Sequence, residues 1–374
     1  MPNAPKPNVK QDSLLVLGLE SSCDETAASV LRRHADGSID LLSNIVASQD
    51  EEHRPFGGVV PEIAARAHMR KLDPIIGKAI KTAGVDWNAI DGIAATAGPG
   101  LIGGVITGLM GAKGLAMSLG KPLIAVNHLE GHALSPRLTE ECPFPYLLLL
   151  VSGGHSQLLS VRGLGEYERL GSTVDDAAGE AFDKTAKVMG LGFPGGPQVQ
   201  AWAERGNPEG VKLPRPMIGR DHADFSFAGL KTAVARAWEA SDQSDTAKAD
   251  IAASFQRAIT DAMIDRVGRA MTLFRNVTSE HDRARLVVAG GVAANTELRA
   301  SLKQIAEARN FDFIAPPLKF CGDNAAMIAL AGAERLAAGL IDDYNAPARP
   351  RWPLDGEAAK SAPKSGYGKK GPKS

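Results

Sequence analysis

The sequence predicts an α/β protein made of a duplicated domain, with a ligand cleft between the two copies. Residues 14–31 contain an apolar strand, a small polar turn and a second strand, and residues 146–161 repeat this order. Residues 93–116 and 286–306 each add an apolar strand, a glycine loop and a helix. The same elements in the same order in both halves indicate an internal duplication.

Glycine-rich turns join the elements in both halves, as in GLESSCDET, AGPG, SGGHS and AGGVA. The 374 residues include 40 glycines, about 11% where proteins average roughly 7%. Such turns leave backbone N–H groups free to hold phosphate oxygens, and a helix that starts after the turn adds a favourable dipole. Four of these loops at comparable positions favour a nucleotide-like ligand.

The length of the chain fits two domains of ordinary size. We expect a disordered extension at residues 1–12, a first lobe at 13–143 that also receives the C-terminal helix, and a second lobe with insertions at 144–345. Residues 346–374 form a C-terminal segment that ends in a lysine-rich tail. The tail fits either a solvated, flexible end or an arm that contacts nucleic-acid phosphates.

Charge and cysteine content point to a cytoplasmic protein. The net charge of −1 means that any nucleic acid must be bound through local patches. Three cysteines, without the spacing of metal-binding pairs, fit a reducing compartment. The N-terminus lacks the apolar stretch of a secretory signal, and the longest strongly apolar run, residues 144–151, is too short to span a bilayer. We therefore expect no association with a membrane.

The string HLEGH follows the apolar strand PLIAVN. If a helix begins here, the spacing places the imidazoles of His128 and His132 on one face, where both can bind one metal. An ordinary helix surface is the alternative. In zinc proteases of the HExxH type the glutamate directly follows the first histidine and acts as general base. Leu129 occupies that position here, so the spacing excludes that protease site.

The string CGDNAAM leads from an extended segment into an apolar helix. Asp323 in this string either caps the helix or supplies an oxygen ligand to a metal. Two imidazoles and one carboxylate with open positions are typical of non-haem iron and catalytic zinc sites. About 200 residues separate the histidines from Asp323, so the sequence leaves open whether they meet.

Three further features each have a structural and a functional interpretation. The acid-rich residues 175–184 are typical of a solvated helical face, but they precede a Pro/Gly turn at 194–197 that could hold backbone against a ligand. The alternating aromatic residues of 224–231 fit core packing as well as a site. Cys23 stands beside two acids and lacks the electropositive surroundings of a nucleophile, so it is interpreted as structural or cleft-lining.

Nine strings in this sequence resemble, in order, those of the bacterial TsaD family. They are GLESSCDET, GGVVPEIAARAH, NHLEGH, LLVSGGHSQL, DDAAGEAFDKTAK, PGGP, DFSFAGLKT, AGGVAANTELR and CGDNAAMIA. The resemblance covers residues 14–353 and leaves only the two tails outside. One departure is Ser21, where the family more often has threonine, and the hydroxyl is retained.

The resemblance implies an actin-like/sugar kinase/Hsp70 (ASKHA) fold, with two lobes of duplicated ribonuclease-H-like topology. It also implies an acyltransferase of t6A biosynthesis. The reaction moves a threonylcarbamoyl group from threonylcarbamoyl-adenylate to N6 of adenosine 37, in tRNAs that read codons beginning with adenine, and releases AMP. The implied partners are tRNA, a dimerising TsaB-like paralogue and a TsaE-like ATPase.

The resemblance also assigns residues by motif. One divalent metal per subunit, Fe²⁺ or alternatively Zn²⁺, would bind to His128, His132 and Asp323. The phosphate or acyl part of the adenylate would be held by Leu150, Val151, Ser152, Gly153 and Gly154, and its ribose and base by Asp183, Gly196 and Asn295. No residue is assigned as the base for the N6 proton, for which the candidates are Glu20, Asp24 and His155.

Three other classes of protein stay open. An ATP-binding phosphotransferase or ATPase of the same fold would make ADP from ATP without needing the adenylate. A non-catalytic scaffold would lack the metal ligands, which are all present here. A metalloprotease is disfavoured by Leu129.

Overall fold

The computed structural model describes residues 12–277 and 284–357. These residues form two compact units. Residues 12–141 and 322–354 make the first unit, and residues 142–277, 284–321 and 355–357 make the second.

The first unit is built on a five-stranded mixed sheet in the order β3-β2-β1-β4-β5. β1 pairs antiparallel with β2 and parallel with β4, and β4 pairs parallel with β5. β1 and β4 are buried along most of their length, which explains why the sequence shows them as apolar runs. The strands are β1 (Ser13–Glu20), β2 (Glu25–His34), β3 (Ile39–Ser48), β4 (Gly92–Gly98) and β5 (Leu123–Asn127).

Helices pack on both faces of this sheet. The helices of the first unit are α1 (Asp50–His53), α2 (Pro61–Ala83), α3 (Ile102–Leu119), α4 (His128–Leu134) and α10 (Ala325–Ala337). Leu72 of α2 and Leu109 of α3 share one apolar cluster with Leu17 of β1. α10 approaches the sheet closely, since a Cβ placed at Gly18 would lie 2.5 Å from the backbone nitrogen of Ala329. The close packing of α10 on β1 therefore requires a glycine at position 18.

α3 is the one helix in the described part of the chain that is long and apolar enough to cross a membrane. Its length and composition alone meet that criterion, which core helices of water-soluble proteins also meet. Val105, Leu109 and Ala112 of α3 are buried against the unit's own core. Ile102, Ile106 and Met110 are exposed instead, so α3 carries one apolar face that the described chain leaves uncovered.

The second unit repeats the topology of the first. Its strand order is β10-β9-β6-β7-β8, with β6 antiparallel to β7 and parallel to β9. The strands are β6 (Tyr146–Val151), β7 (Ser156–Gly163), β8 (Glu166–Ser172), β9 (Ala284–Ala289) and β10 (Phe311–Ile314). Both predicted hairpins and both strand–glycine loop–helix units are present, so the predicted duplication is confirmed.

The helices of the second unit enclose a larger core. They are α5 (Ala178–Met189), α6 (Gly195–Ala203), α7 (Ala228–Ala240), α8 (Asp245–Val277) and α9 (Thr296–Ala308). Phe182 of α5 packs edge-on against Phe255 of α8, with ring centroids 5.1 Å apart. Phe225 and Phe227 are both buried, which confirms core packing for the alternating aromatics of residues 224–231.

Residues 322–354 lie with the first unit, because α10 packs on β1, β2 and β4. The prediction gave a C-terminal helix to the first lobe but extended the second lobe over residues 144–345, a range that includes α10. The other predicted boundary, at 143/144, compares with a division at 141/142. The predicted disorder of residues 1–12 falls, apart from Asp12, outside the described residues, and so does the lysine-rich tail.

Candidate functional site

The two histidines of HLEGH lie on α4, which begins directly after β5. Asn127 ends the strand and caps the helix, because its Oδ1 accepts a hydrogen bond from the backbone N–H of Leu129 at 2.9 Å. The rings of His128 and His132 are buried, with centroids 4.7 Å apart and planes nearly perpendicular. The expected i, i+4 pair is therefore formed, and it lies inside the unit rather than on a helix surface.

Asp323 faces these histidines from the loop before α10. The helix is capped by its neighbour Asn324, whose Oδ1 accepts from the backbone N–H of Met327 at 3.1 Å. The interpretation of Asp323 as the helix cap is therefore wrong, and its carboxylate is available to the histidines. Gly131 permits the approach of α4 to α10, because a Cβ there would lie 2.9 Å from Cδ1 of Ile328.

The three side chains form a donor set suited to a divalent metal. Oδ1 of Asp323 lies 3.0 Å from Nε2 of His132 and 3.5 Å from Nε2 of His128. One ligand atom from each residue lies within 4.8 Å of the others. Nδ1 of His132 is buried and has no hydrogen-bond partner among the described residues. Two imidazoles and a carboxylate that converge in this way fit iron or zinc.

The local charges are strongly coupled. Burial alone would lower the pKa of His128, but the carboxylates of Asp323 and Glu20 outweigh it and raise this pKa well above its usual value. Burial would raise the pKa of Asp323, but the two histidines lower it far below its usual value. The histidines therefore keep Asp323 as a carboxylate anion.

A second carboxylate, Glu20 at the end of β1, lies behind His128. Its Oε2 accepts from Nδ1 of His128 at 2.9 Å and from the hydroxyl of Thr96 at 2.7 Å. Burial would raise the pKa of Glu20, but the charge and hydrogen bond of His128 lower it. A carboxylate that ends an otherwise apolar strand marks Glu20 in the sequence as a candidate functional residue, but this pattern does not indicate its contact with His128.

Cys23 and Asp24 lie in the turn between β1 and β2, and Glu25 begins β2. Burial, followed by the charge of Asp24, raises the pKa of the Cys23 thiol well above its usual value. The thiol is therefore protonated at neutral pH, in agreement with a structural or cleft-lining role. Burial raises the pKa of Asp24, and burial together with the charge of Asp323 raises that of Glu25 further. These acids could hold or accept a proton near the histidines.

The SGGHS loop of the second unit lies at the carboxyl end of β6. Leu150 and Val151 are buried strand residues, while Ser152, Gly153 and Gly154 form the turn to β7. The turn is closed by a 2.8 Å hydrogen bond from the backbone N–H of Ser152 to the carbonyl of His155.

The first turn of α5 packs directly on this loop. A Cβ at Gly179 would lie 2.7 Å from Cα of Gly153, so only glycine permits the contact. A glycine turn beside a helix N-terminus is an arrangement that suits phosphate.

The three other predicted nucleotide residues lie in the same unit. Oδ1 of Asp183 accepts from the backbone N–H of Gly195 at 2.8 Å, which fixes the Pro/Gly turn on α5. A Cβ at Gly196 would meet open space. Asn295 caps α9 through Leu298, and its amide donates to Oε1 of Gln256 at 2.7 Å. Asn295 is thus already engaged within the protein.

Asp175 has a role that the sequence did not reveal. It precedes α5 rather than lying on it, and its Oδ1 accepts from the backbone N–H of Phe227 at 2.7 Å. Its Oδ2 accepts from the hydroxyl of Ser226 at 2.5 Å. One carboxylate therefore joins the acid-rich motif to the aromatic motif and holds the start of α7, so a solvated helical face describes only part of residues 175–184.

The sequence of this chain is similar to those of known proteins. The profile of the family described as TsaD, tRNA N6-adenosine threonylcarbamoyltransferase, matches residues 40–330. A protein from Maricaulis maris, named tRNA N6-adenosine threonylcarbamoyltransferase, is 59% identical over 98% of both chains. A protein of the same name from Caulobacter vibrioides is 57% identical and covers 97% of this chain and 99% of its own.

The fold is also similar to that of solved structures. HypF from T. kodakarensis superposes with a TM-score of 0.56, at 14% identity, over 91% of this chain and 49% of its own. Full-length HypF in a phosphate- and nucleotide-bound form gives a TM-score of 0.53, at 12% identity, over 89% of this chain and 46% of its own. The predicted actin-like α/β fold is confirmed. The chain belongs to the TsaD family, the tRNA N6-adenosine threonylcarbamoyltransferases.

Proposed function

We propose that this chain transfers the threonylcarbamoyl group from threonylcarbamoyl-adenylate to N6 of adenosine 37, in tRNAs that read codons beginning with adenine. N6 forms a bond to the carbamoyl carbon, the bond from that carbon to the phosphate oxygen breaks, AMP leaves, and N6 loses one proton. The observation that carries the proposal is the convergence of His128, His132 and Asp323 in a member of this family.

These three residues would hold one divalent metal per subunit, with Fe²⁺ preferred and Zn²⁺ as the alternative. A bound metal supplies Lewis acidity to a phosphate or carbamoyl oxygen. Two histidines and one carboxylate leave coordination positions open for such an oxygen. Leu129 occupies the position at which a protease of the HExxH type has its glutamate base.

The second unit would hold the adenylate. The turn of Ser152, Gly153 and Gly154 after Leu150 and Val151, next to the start of α5, suits the phosphate or acyl part. Asp183 would accept from the ribose hydroxyls. The open space at Gly196 leaves room for a ligand, and Asn295, which caps α9, would contribute to holding the ribose and base.

Of the three candidates for the N6 proton, the burial and hydrogen bonds of Glu20 disfavour it. Asp24 is partly exposed and lies in a turn whose acids have raised pKa values. A raised pKa brings a carboxylate closer to the value that suits proton transfer at neutral pH. We therefore favour Asp24, with His155 as the second candidate.

A protein partner is supported by the exposed apolar face of α2 and α3. Met69 of α2 and Ile102, Ile106 and Met110 of α3 form this face. Exposed apolar patches on globular proteins mark interaction sites. We assign the face to the TsaB-like paralogue and propose that the TsaE-like ATPase joins the resulting complex.

We also propose that the chain acts in the cytoplasm, where its tRNA substrate is found, and that it does not associate with a membrane.

The experiment that tests the proposal is reconstitution with the partner proteins, the adenylate-forming enzyme, threonine, bicarbonate, ATP and unmodified tRNA. Nucleoside mass spectrometry should then detect t6A, and omission of the adenylate-forming enzyme should abolish it. A phosphotransferase or ATPase would instead release ADP when the purified chain is given ATP without the partner proteins and without that enzyme. Absence of t6A from the complete mixture, with every component active, would overturn the proposal.

A further inference from the structure

Glu20 is a fully buried carboxylate in a position where a charge is costly. It ends β1, and the strand residues before it are apolar and buried. A buried carboxylate is stable only when hydrogen-bond donors satisfy it. The identity of those donors therefore indicates what the residue does.

Three donors meet the two oxygens of Glu20. Oε1 accepts from the backbone N–H of Ser22 at 2.6 Å. Oε2 accepts from the hydroxyl of Thr96 at 2.7 Å and from Nδ1 of His128 at 2.9 Å. Both side-chain oxygens of Glu20 must therefore act as acceptors, which an ionised carboxylate can do and an amide, with its N–H₂ group, cannot.

A metal binds the neutral form of histidine, and the contact with Glu20 favours one tautomer of that form. When its Nδ1–H donates to Glu20, the lone pair of Nε2 is left free, and Nε2 lies 3.5 Å from Oδ1 of Asp323. His132 has no equivalent support, because its Nδ1 is buried without a hydrogen-bond partner among the described residues. The two histidines therefore differ at Nδ1, where only His128 has a carboxylate partner.

We infer that Glu20 is the positioning residue of the metal site, holding His128 with Nε2 directed at the metal and making that nitrogen a stronger ligand. The inference rests on the proposed metal site and specifies how it is organised. Carboxylates behind a ligating histidine are a recurrent device, and their loss weakens metal affinity by about 10–100-fold. Glu20 touches the ligand and not the substrate, so it is not a catalytic residue.

The test is the metal affinity of the purified full-length chain after chelation of bound metal. Zn²⁺ and Co²⁺ are titrated in competition with a chromophoric chelator. Glu20→Gln keeps the volume but sets an amide N–H₂ against one of the three donors, and we expect affinity to fall about 10–100-fold. Glu130→Gln is the matched control, because this buried carboxylate lies on α4 but contacts Arg335 instead, at 3.3 Å. Its affinity should stay within about twofold of the wild type.

A double-mutant cycle separates orientation of His128 from a general effect on the fold. In a His132→Ala background, Glu20→Gln should still weaken Zn²⁺ binding about tenfold. In a His128→Ala background it should change binding by less than about twofold, because the side chain that it orients is gone. Wild-type affinity in Glu20→Gln, or the same loss with and without His128, would overturn the inference.

Two further measurements keep the result interpretable. If Glu20→Gln does not fold, Glu20→Asp retains the charge but shortens the reach to His128, and it should weaken Zn²⁺ binding by a smaller factor. Circular dichroism of each variant confirms the fold. If His128→Ala binds Zn²⁺ as tightly as the wild type, the proposed metal site itself is wrong, and the role of Glu20 is overturned with it.

Discussion

At the scale of residues, the site divides three tasks among three polar side chains. Asn324 caps α10, Asp323 faces the histidines, and Glu20 contacts His128 from behind. The sequence indicated the histidine pair correctly, because a spacing of four is a property of the helix alone. It could not assign the cap, since Asp323 and Asn324 are both good capping residues.

The assignment of the cap predicts the effect of Asn324→Ala. Loss of the side chain that accepts from Met327 should lower the free energy of unfolding by about 1 kcal/mol. Urea denaturation followed by circular dichroism measures this change. Asn345→Ala is the control at an exposed position and should stay within about 0.5 kcal/mol of the wild type. An unchanged stability for Asn324→Ala would return the capping role to Asp323.

At the scale of elements, the position of α10 determines the geometry of the site. Asp323 precedes this helix, and the helix rests on β1 and β4 at two glycines. A Cβ at Gly332 would lie 2.3 Å from Cβ of Ala94, and one at Gly18 would meet the backbone of Ala329. The sequence predicted α10 as an apolar helix, but the sheet on which it packs depends on contacts between distant residues.

This packing predicts opposite effects for two glycine-to-alanine substitutions in helices. Gly332→Ala should destabilise the protein by about 1–3 kcal/mol, because the new methyl group overlaps Ala94. Gly77→Ala in α2 meets open space and should stabilise it by up to about 1 kcal/mol, since alanine has the higher helix propensity. Thermal and urea unfolding measure both. Equal effects in the two variants would contradict the close approach of α10 to the sheet.

At the scale of the whole molecule, the two units have the same strand topology, and the sequence predicted this from the order of their elements. Local patterns were sufficient for this prediction because the residues of a hairpin, or of a strand–loop–helix unit, are contiguous in the sequence. The prediction also gave a C-terminal helix to the first lobe, but no local pattern marks residue 322 as the point where the chain returns to the first unit. That point depends on the packing of α10 on the sheet of the first unit.

The candidate site was predictable to a similar degree. Its proposed ligands were predicted from a local spacing and from the resemblance to the family. The contact of Glu20 with His128 joins residues 108 positions apart, and no local pattern encodes it. The same holds for the link from Asp175 to Phe227.

The exposed face of α2 and α3 yields a prediction about assembly. Ile106→Glu should abolish co-purification with the TsaB-like paralogue, because a charge at a buried apolar interface is costly. Its effect on the isolated chain should be small, since Ile106 is 45% exposed. Leu340→Glu is the control, with an exposed fraction of 44% outside this face. Size-exclusion chromatography of the co-expressed proteins provides the measurement. Intact complex with Ile106→Glu would place the partner elsewhere.

The central claim, that His128, His132 and Asp323 hold the metal on which transfer depends, is tested most directly by t6A formation in the reconstituted system. Nucleoside mass spectrometry compares the wild type, the double variant His128→Ala/His132→Ala, and His34→Ala, a partly exposed histidine of the same unit. The double variant should lose at least about 100-fold in rate, because Lewis-acid stabilisation contributes several kcal/mol. It should also lose its bound metal, and His34→Ala should lose neither. Full transfer activity in the double variant would contradict the account.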